Sequence, residues 1–304
     1  MIQFVPAVDL LFEAVQSKGH VCVGLDTAAQ YTPPVERKKA AGDADAVLAF
    51  NRALIDATFD AAACYKVQIA YYEEMGVEGL AAYSKTLKYI REKGGIVIAD
   101  IKRGDIADTA KRYAKAHFSG DFEADFVTLS PYMGMDSVEP WLWEAQTRGK
   151  GAFVLMRTSN PGMRDFQKLG IRNEELGMRG DPRLYHIVGG KLAGLAEKHQ
   201  GGCGYGIFGA VVGCTEREEA TEIRKNYPNL FFLIPGYGAQ GGGAQDAALL
   251  LREGNGGVVN ASRSIITAWQ NEAGSENADN SFAAQSARRA VIKMRDEIKR
   301  EILL

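Results

Sequence analysis

The sequence predicts an α/β fold, a (β/α)8 TIM barrel that takes residues 1–304 as a single domain with long loops after strands 1 and 5. Three observations predict it. Eight short apolar runs follow one another along the chain, segments with helical spacing stand between them, and no shift in composition marks a second domain. A chain of 304 residues suits one such barrel with insertions, because these folds commonly run to about 250 residues and often more.

The first strand is expected at Val21–Leu25, followed by a helix at about 44–60. The second strand, Cys64–Gln68, leads to helical spacing at 71–93, and the third, Ile96–Ile101, to 106–118. Phe126–Leu129 and 136–148 form the fourth unit, with Asp136-Ser137 as the helix start. Phe153–Met156 and 184–199 form the fifth. Ile207–Val212 precedes 216–226, where Thr215-Glu216-Arg217-Glu218 reads as a capping box. Phe231–Ile234 with 244–253, and Val258–Asn260 with 282–302, complete the set. The runs are continuously apolar, as strands of a parallel sheet covered on both faces are. Two connections are long, Thr27–Asp43 and Asn160–Arg183, and both follow strands, on the face where barrels carry their active sites.

Composition narrows the function. A net charge of −2 gives no basic surface for nucleic acid or membrane, so any anionic ligand needs a local site. No apolar stretch approaches the roughly 20 residues of a membrane span, and the N-terminus carries no signal-peptide pattern. Cys22, Cys64, Cys203 and Cys214 include no C-x-x-C pair; Cys22 and Cys64 sit in apolar runs and read as core thiols. Disulfides are not expected, and the setting reads as cytoplasmic. His20, His117, His186 and His199 lack metal-ligand spacing and are expected at the surface or at helix ends.

The strand ends are charged. The first strand ends in Asp26, the second carries Lys66, and the third runs Asp100-Ile101-Lys102. Strand side chains alternate, so Asp100 and Lys102 share a face, about 6–7 Å apart along the chain. Buried charges cost several kcal/mol each unless paired, and an alternating Asp/Lys array pairs them. Such arrays are weak stabilisers but common catalytic machinery. Asp105 has the wrong parity to join that face; Gly104 is expected to turn the chain and release it in a new direction, with a helix N-cap as the equal alternative.

The seventh strand runs into Pro235-Gly236-Tyr237-Gly238-Ala239-Gln240-Gly241-Gly242-Gly243, and the eighth ends Ser262-Arg263-Ser264. Glycines before a helix expose N–H groups to an anion, and Arg263 adds a guanidinium beside them, at the loops where barrels often hold phosphate.

Together these residues resemble one family, orotidine 5′-phosphate decarboxylase, in its longer bacterial form. The motifs are Asp100-Ile101-Lys102-Arg103-Gly104-Asp105-Ile106, Thr158-Ser159-Asn160-Pro161-Gly162, the Pro235 to Gly242 run and Ser262-Arg263-Ser264, in family order over Val21 to about Ile266. The resemblance implies cofactor-independent conversion of orotidine 5′-monophosphate to uridine 5′-monophosphate and CO2, the last step of de novo pyrimidine synthesis, with no metal. It implies that Lys102 protonates C6, that Asp100 lies against the substrate carboxylate, and that Asp26 holds the ribose with Lys66 beside it. Ser159 would bond the pyrimidine, while Gln240, Arg263 and the backbone of the loop from Pro235 would hold the phosphate. Asp105 and Thr109 would reach the neighbouring site across a homodimer. Metal-dependent sugar-phosphate relatives share D-x-K-x-x-D but need an acidic ligand on the second strand, where Lys66 and Gln68 stand. A barrel that binds a phosphorylated ligand without chemistry is the remaining alternative.

Overall fold

Each of the eight apolar runs forms a parallel strand, and the sheet closes on itself in the order β1 to β8. The computed structural model describes residues 4–170, 183–238 and 241–303. Helix α1 (Ala7–Lys18) precedes β1 (Val21–Leu25); α2 (Pro34–Lys39) and α3 (Asp43–Thr58) lead to β2 (Cys64–Gln68). Then come α4 (Ala70–Glu73), α5 (Gly76–Glu92), β3 (Val97–Arg103), α6 (Ala107–Phe118), β4 (Phe126–Leu129) and α7 (Glu139–Arg148). β5 (Gly151–Arg157), α8 (Leu184–Lys198), β6 (Phe208–Val212), α9 (Arg217–Asn226) and β7 (Phe232–Ile234) follow. α10 (Ala244–Ala248), β8 (Gly257–Ala261), α11 (Arg263–Ile266) and α12 (Asn280–Ile302) complete the chain.

β1, β2 and β4 have the bounds the sequence predicts. β3, β5 and β8 run longer, because their hydrogen bonds continue into residues that the apolar pattern leaves out. Nearly every strand residue is buried, since side chains fill the barrel on one face and meet helices on the other. Phe126 and Phe153 stack at 5.0 Å between ring centroids.

Several expectations need correction. Helix α1 has no counterpart in the sequence reading. It lies across the strand N-termini, where Ala7 N–H donates to the Gly149 carbonyl and the Asp9 carboxylate accepts from the N–H groups of Gly202 and Cys203. The first long connection is partly helical, through α2. The segment at 71–93 is two helices, and that at 244–253 stops at Ala248. Asp136-Ser137 belongs to a 3-10 turn, and α7 starts at Glu139. The capping box at Thr215 does not form: the Thr215 hydroxyl accepts from Arg157 Nη1, and α9 has no side-chain cap. His20 is buried rather than at the surface, its Nε2 2.9 Å from the Gly254 carbonyl, and His117, near the end of α6, is buried too. Of the long loop Met163–Asp181, residues 171–181 lie outside the described residues; its base is a bridge between Gly170 and Arg183.

Candidate active site

At the C-terminal ends of β1 to β3, four side chains form one alternating chain of charges. Lys66 Nζ donates to Asp26 Oδ1 at 3.2 Å and to Asp100 Oδ2 at 2.7 Å, and Lys102 Nζ donates to Asp100 Oδ1 at 2.6 Å. Strand register sets this order, pairing Gly24 with Lys66 and Gln68 with Asp100. The Lys66 and Asp100 side chains are 6% and 7% exposed, whereas that of Lys102 is 47% exposed, so the chain is closed at its centre and open at the lysine end. Burial pushes the Asp100 carboxyl up, but Lys66 and Lys102 outweigh it and hold the group well below the usual carboxylate range. Burial likewise pushes Lys66 down, and Asp100 and Asp26 more than restore it, to above the usual lysine range. Both central groups therefore stay charged, each on condition that the other does.

Two further residues complete the shell of Asp100, and sequence reading missed both. Gln68 Nε2 donates to Oδ2 at 3.0 Å, and the Thr128 hydroxyl donates to Oδ1 at 2.8 Å. The same Thr128 oxygen accepts from the backbone N–H groups of Ile101 and Lys102. A signal existed in each case: Gln68 lies two residues past Lys66, hence on its face, and Thr128 is the one polar residue of β4.

Lys102 has left-handed backbone, φ +45°, and the pairing of β3 with β4 slips between Ala99 and Arg103. The strand thus departs from β geometry at Lys102. Gly104, which the sequence pointed to as the turn, does not have positive φ. Asp105 accepts a hydrogen bond from its neighbour Ile106 N–H, and Ile106, not Asp105, caps α6. Asp105 is half-buried and Thr109 exposed on α6. Neither is hydrogen-bonded to the charged chain.

Around the rim, Ser159 follows β5 and backs onto Gly213, where a Cβ would come within 2.7 Å of the serine Cβ. The adjoining Arg157 is fully buried, and its Nε donates to Glu219 at 3.0 Å. This pair, which the sequence did not suggest, ties the end of β5 to α9. Past β7, the Pro235 carbonyl accepts from Cys214 N–H, and the loop folds on itself through bonds from Gly238 N–H to the Gly242 carbonyl and from Gly242 N–H to the Gly236 carbonyl. Gln240 lies outside the described residues. Arg263 opens α11 directly after β8, exposed and with no carboxylate partner among the described residues. Burial and Asp26 push the phenol of Tyr71 up, while Arg263 opposes them.

The arrangement supplies an amine at the open end of a rigid ion chain and, on the end of the strand that closes the barrel, a guanidinium with no carboxylate partner among the described residues. That suits a small substrate with one acidic reacting centre and a distal anion. A cavity of about 1100 Å³ lies at the opposite end of the barrel between α1 and α12 and holds none of these groups.

Comparison with known proteins agrees. Residues 19–277 match the family described as Orotidine 5′-phosphate decarboxylase / HUMPS family. The chain is 53% identical over 291 residues to the orotidine 5′-phosphate decarboxylase of Clostridium kluyveri, covering 96% of each chain. It is 53% identical over 294 residues to that of Clostridium novyi, covering 97% of this chain and 99% of the relative. The solved structure of Leishmania donovani OMP decarboxylase superposes with a TM-score of 0.73 at 30% identity, covering 99% of this chain and 100% of that one.

Proposed function

The chain belongs to the orotidine 5′-phosphate decarboxylase / HUMPS family, and from that premise we propose that it is a carboxy-lyase converting orotidine 5′-monophosphate to uridine 5′-monophosphate and CO2 in pyrimidine synthesis. The observation that carries this reading is the chain Asp26–Lys66–Asp100–Lys102 with its lysine end exposed.

In the proposed reaction the substrate carboxylate lies against Asp100, which the two lysines keep ionised. The bond from C6 to the carboxylate breaks, CO2 leaves, and the electron pair stays on C6. Lys102 Nζ faces that charge as it develops and gives its proton to C6, then regains one from water. The fixed dipoles and charges need no reorganisation during the step, which is why a rigid array serves better than mobile side chains. Asp26, with the catalytic Lys66 beside it, would hold the ribose and Ser159 the pyrimidine, while Pro235, Gln240 and Arg263 would serve the phosphate. The reading draws on no metal or organic cofactor.

We place Asp105 and Thr109 at a homodimer interface that completes the neighbouring site. Ile106, next to Asp105, and Tyr132 and Met133, on the loop after β4, are exposed apolar side chains, and the Tyr132 ring lies 6.4 Å from that of Phe166. A second copy would cover this surface. Among the described residues no helix is long and apolar enough to cross a membrane. We read the chain as one cytoplasmic domain.

The deciding experiment incubates the protein with orotidine 5′-monophosphate and follows the orotate absorbance. Stoichiometric loss of absorbance with release of CO2 supports the reading. Binding that depends on the phosphate, without turnover, would make the protein a binding module instead.

A further inference from the structure

Tyr237 stands between two left-handed glycines, Gly236 at φ +104° and Gly238 at φ +74°. Its hydroxyl donates a 2.6 Å hydrogen bond to Oε2 of Glu297, which lies far along the chain on α12. Among the described residues this is the only hydrogen bond between the loop after β7 and that helix. Beside this bond lies a cavity of about 910 Å³, bounded by Tyr237, Gly243, Asp246, Glu297 and Arg300, while the Tyr237 ring itself packs against the hydrophobic core. Helix α12 is a firm support: Val291, Met294 and Ile298 on its inner face are buried against the barrel. Burial, with Glu297 beside it, pushes the Tyr237 phenol up, which keeps it protonated and a donor at neutral pH.

We propose that Glu297, acting through Tyr237, is a positioning residue that sets the height of the glycine loop for the substrate's phosphate. The inference rests on the phosphate role given to that loop above. A loop rich in glycine has unusual backbone freedom, and fixing each residue on binding costs about 1–2 kcal/mol. A tie made before binding removes part of that cost, and only ligands that use the loop gain from it.

The test compares orotidine 5′-monophosphate with orotidine, the same molecule without the phosphate, turned over slowly at high enzyme concentration. Losing one hydrogen bond of this kind, Tyr237→Phe and Glu297→Ala should each raise KM for the nucleotide about tenfold with kcat within about twofold. The kcat/KM for orotidine should stay within about twofold of the parent. Glu297→Gln, whose amide oxygen still accepts from the phenol, should recover most of the loss. Both side chains are partly exposed, so the variants should fold, and thermal melting checks this. An equal loss on both substrates, or none on either, overturns the inference. A parent protein inactive on the nucleotide would overturn the functional reading, and this inference with it. An active parent with unaffected variants overturns the inference alone.

Discussion

Replacing Thr128 by valine removes one hydroxyl at the centre of the site and nearly preserves the side chain's shape. That oxygen accepts from the N–H groups of Ile101 at 3.0 Å and Lys102 at 2.9 Å, and donates to Asp100 at 2.8 Å. Two backbone donors would lose their partner, and a buried carboxylate would lose one of its four donors. An orphaned buried donor costs about 1–3 kcal/mol and a bond to a charged group is worth about 1.5–3. The three bonds share one atom, so the low ends of those ranges apply, and the expected destabilisation is about 3–4 kcal/mol. Activity should suffer separately. Lys102 has left-handed backbone, which costs roughly 1–2 kcal/mol in a residue with a side chain, and its N–H bond to Thr128 helps to hold it there. Released, the strand can relax and carry the amine away from its partner. A displacement near 1 Å can cost on the order of a hundredfold in rate, so kcat should fall about 10- to 100-fold with KM little changed. Urea unfolding measures the first effect and orotate absorbance the second. A variant as stable and as fast as its parent would show that neither Asp100 nor Lys102 depends on Thr128.

Three further outcomes are expected. Arg263→Ala should lower kcat/KM for the nucleotide by orders of magnitude while leaving the melting temperature unchanged, because the side chain is exposed; near-parental kinetics would remove it from the phosphate site. Sedimentation should give a dimer at assay concentrations, and a monomer of full activity would exclude Asp105 and Thr109 from the reaction. Burial, aided by Arg103, holds the His117 imidazole down at about 4 against 6.5, so the unfolded chain protonates first as pH falls. Stability is intact above about 6.5 and is lost progressively from there down to 4, by up to about 3 kcal/mol. His117→Gln should flatten that part of the profile in urea titrations, and an unchanged slope would refute the assignment.

The strands were legible because parallel strands buried on both faces leave continuous apolar runs, and charged residues ending such runs stand out. Lys66, Asp100 and Lys102 were visible for that reason. Parity paired Asp100 with Lys102 correctly, although the backbone at Lys102 is not β. The left-handed turn at a lysine gave no signal, because glycine ordinarily takes that conformation and Gly104 stood two residues away. Thr128 was hidden because threonine is an ordinary strand residue; its role appears only when a neighbouring strand brings Asp100 to it. Arg157 and Glu219 lie far apart in sequence, and no periodicity joins them. Helix α1 stands before the first strand, outside the strand–helix alternation that made the other helices legible. Thr215 looked like a cap until the arginine that claims its hydroxyl was in place.

The two parts of the site rest on different physics, and one seam relates them. The charged chain stands on β1 to β3, where rigid strands hold side chains by bonds of 2.6–3.2 Å. The proposed anion grip stands on the loops after β7 and β8, made from backbone, Gln240 and one guanidinium. Barrel closure joins them, because β1 pairs with β8, Cys22 opposite Asn260 and Val23 opposite Ala261. At Gly24, one residue on, a Cβ would fall 2.0 Å from Ser262 Oγ and 3.0 Å from Asn260 Oδ1. Only a hydrogen atom fits there, so Ser262, and Arg263 after it, sits against the strand that leads into Asp26. In an open sheet of the same strand order, β1 and β8 would lie at opposite edges, and no small ligand could span from Lys102 to Arg263. Closure therefore does more than bury apolar surface. Under the proposed reading, it is what lets binding energy gained at the phosphate be felt at the reacting carbon.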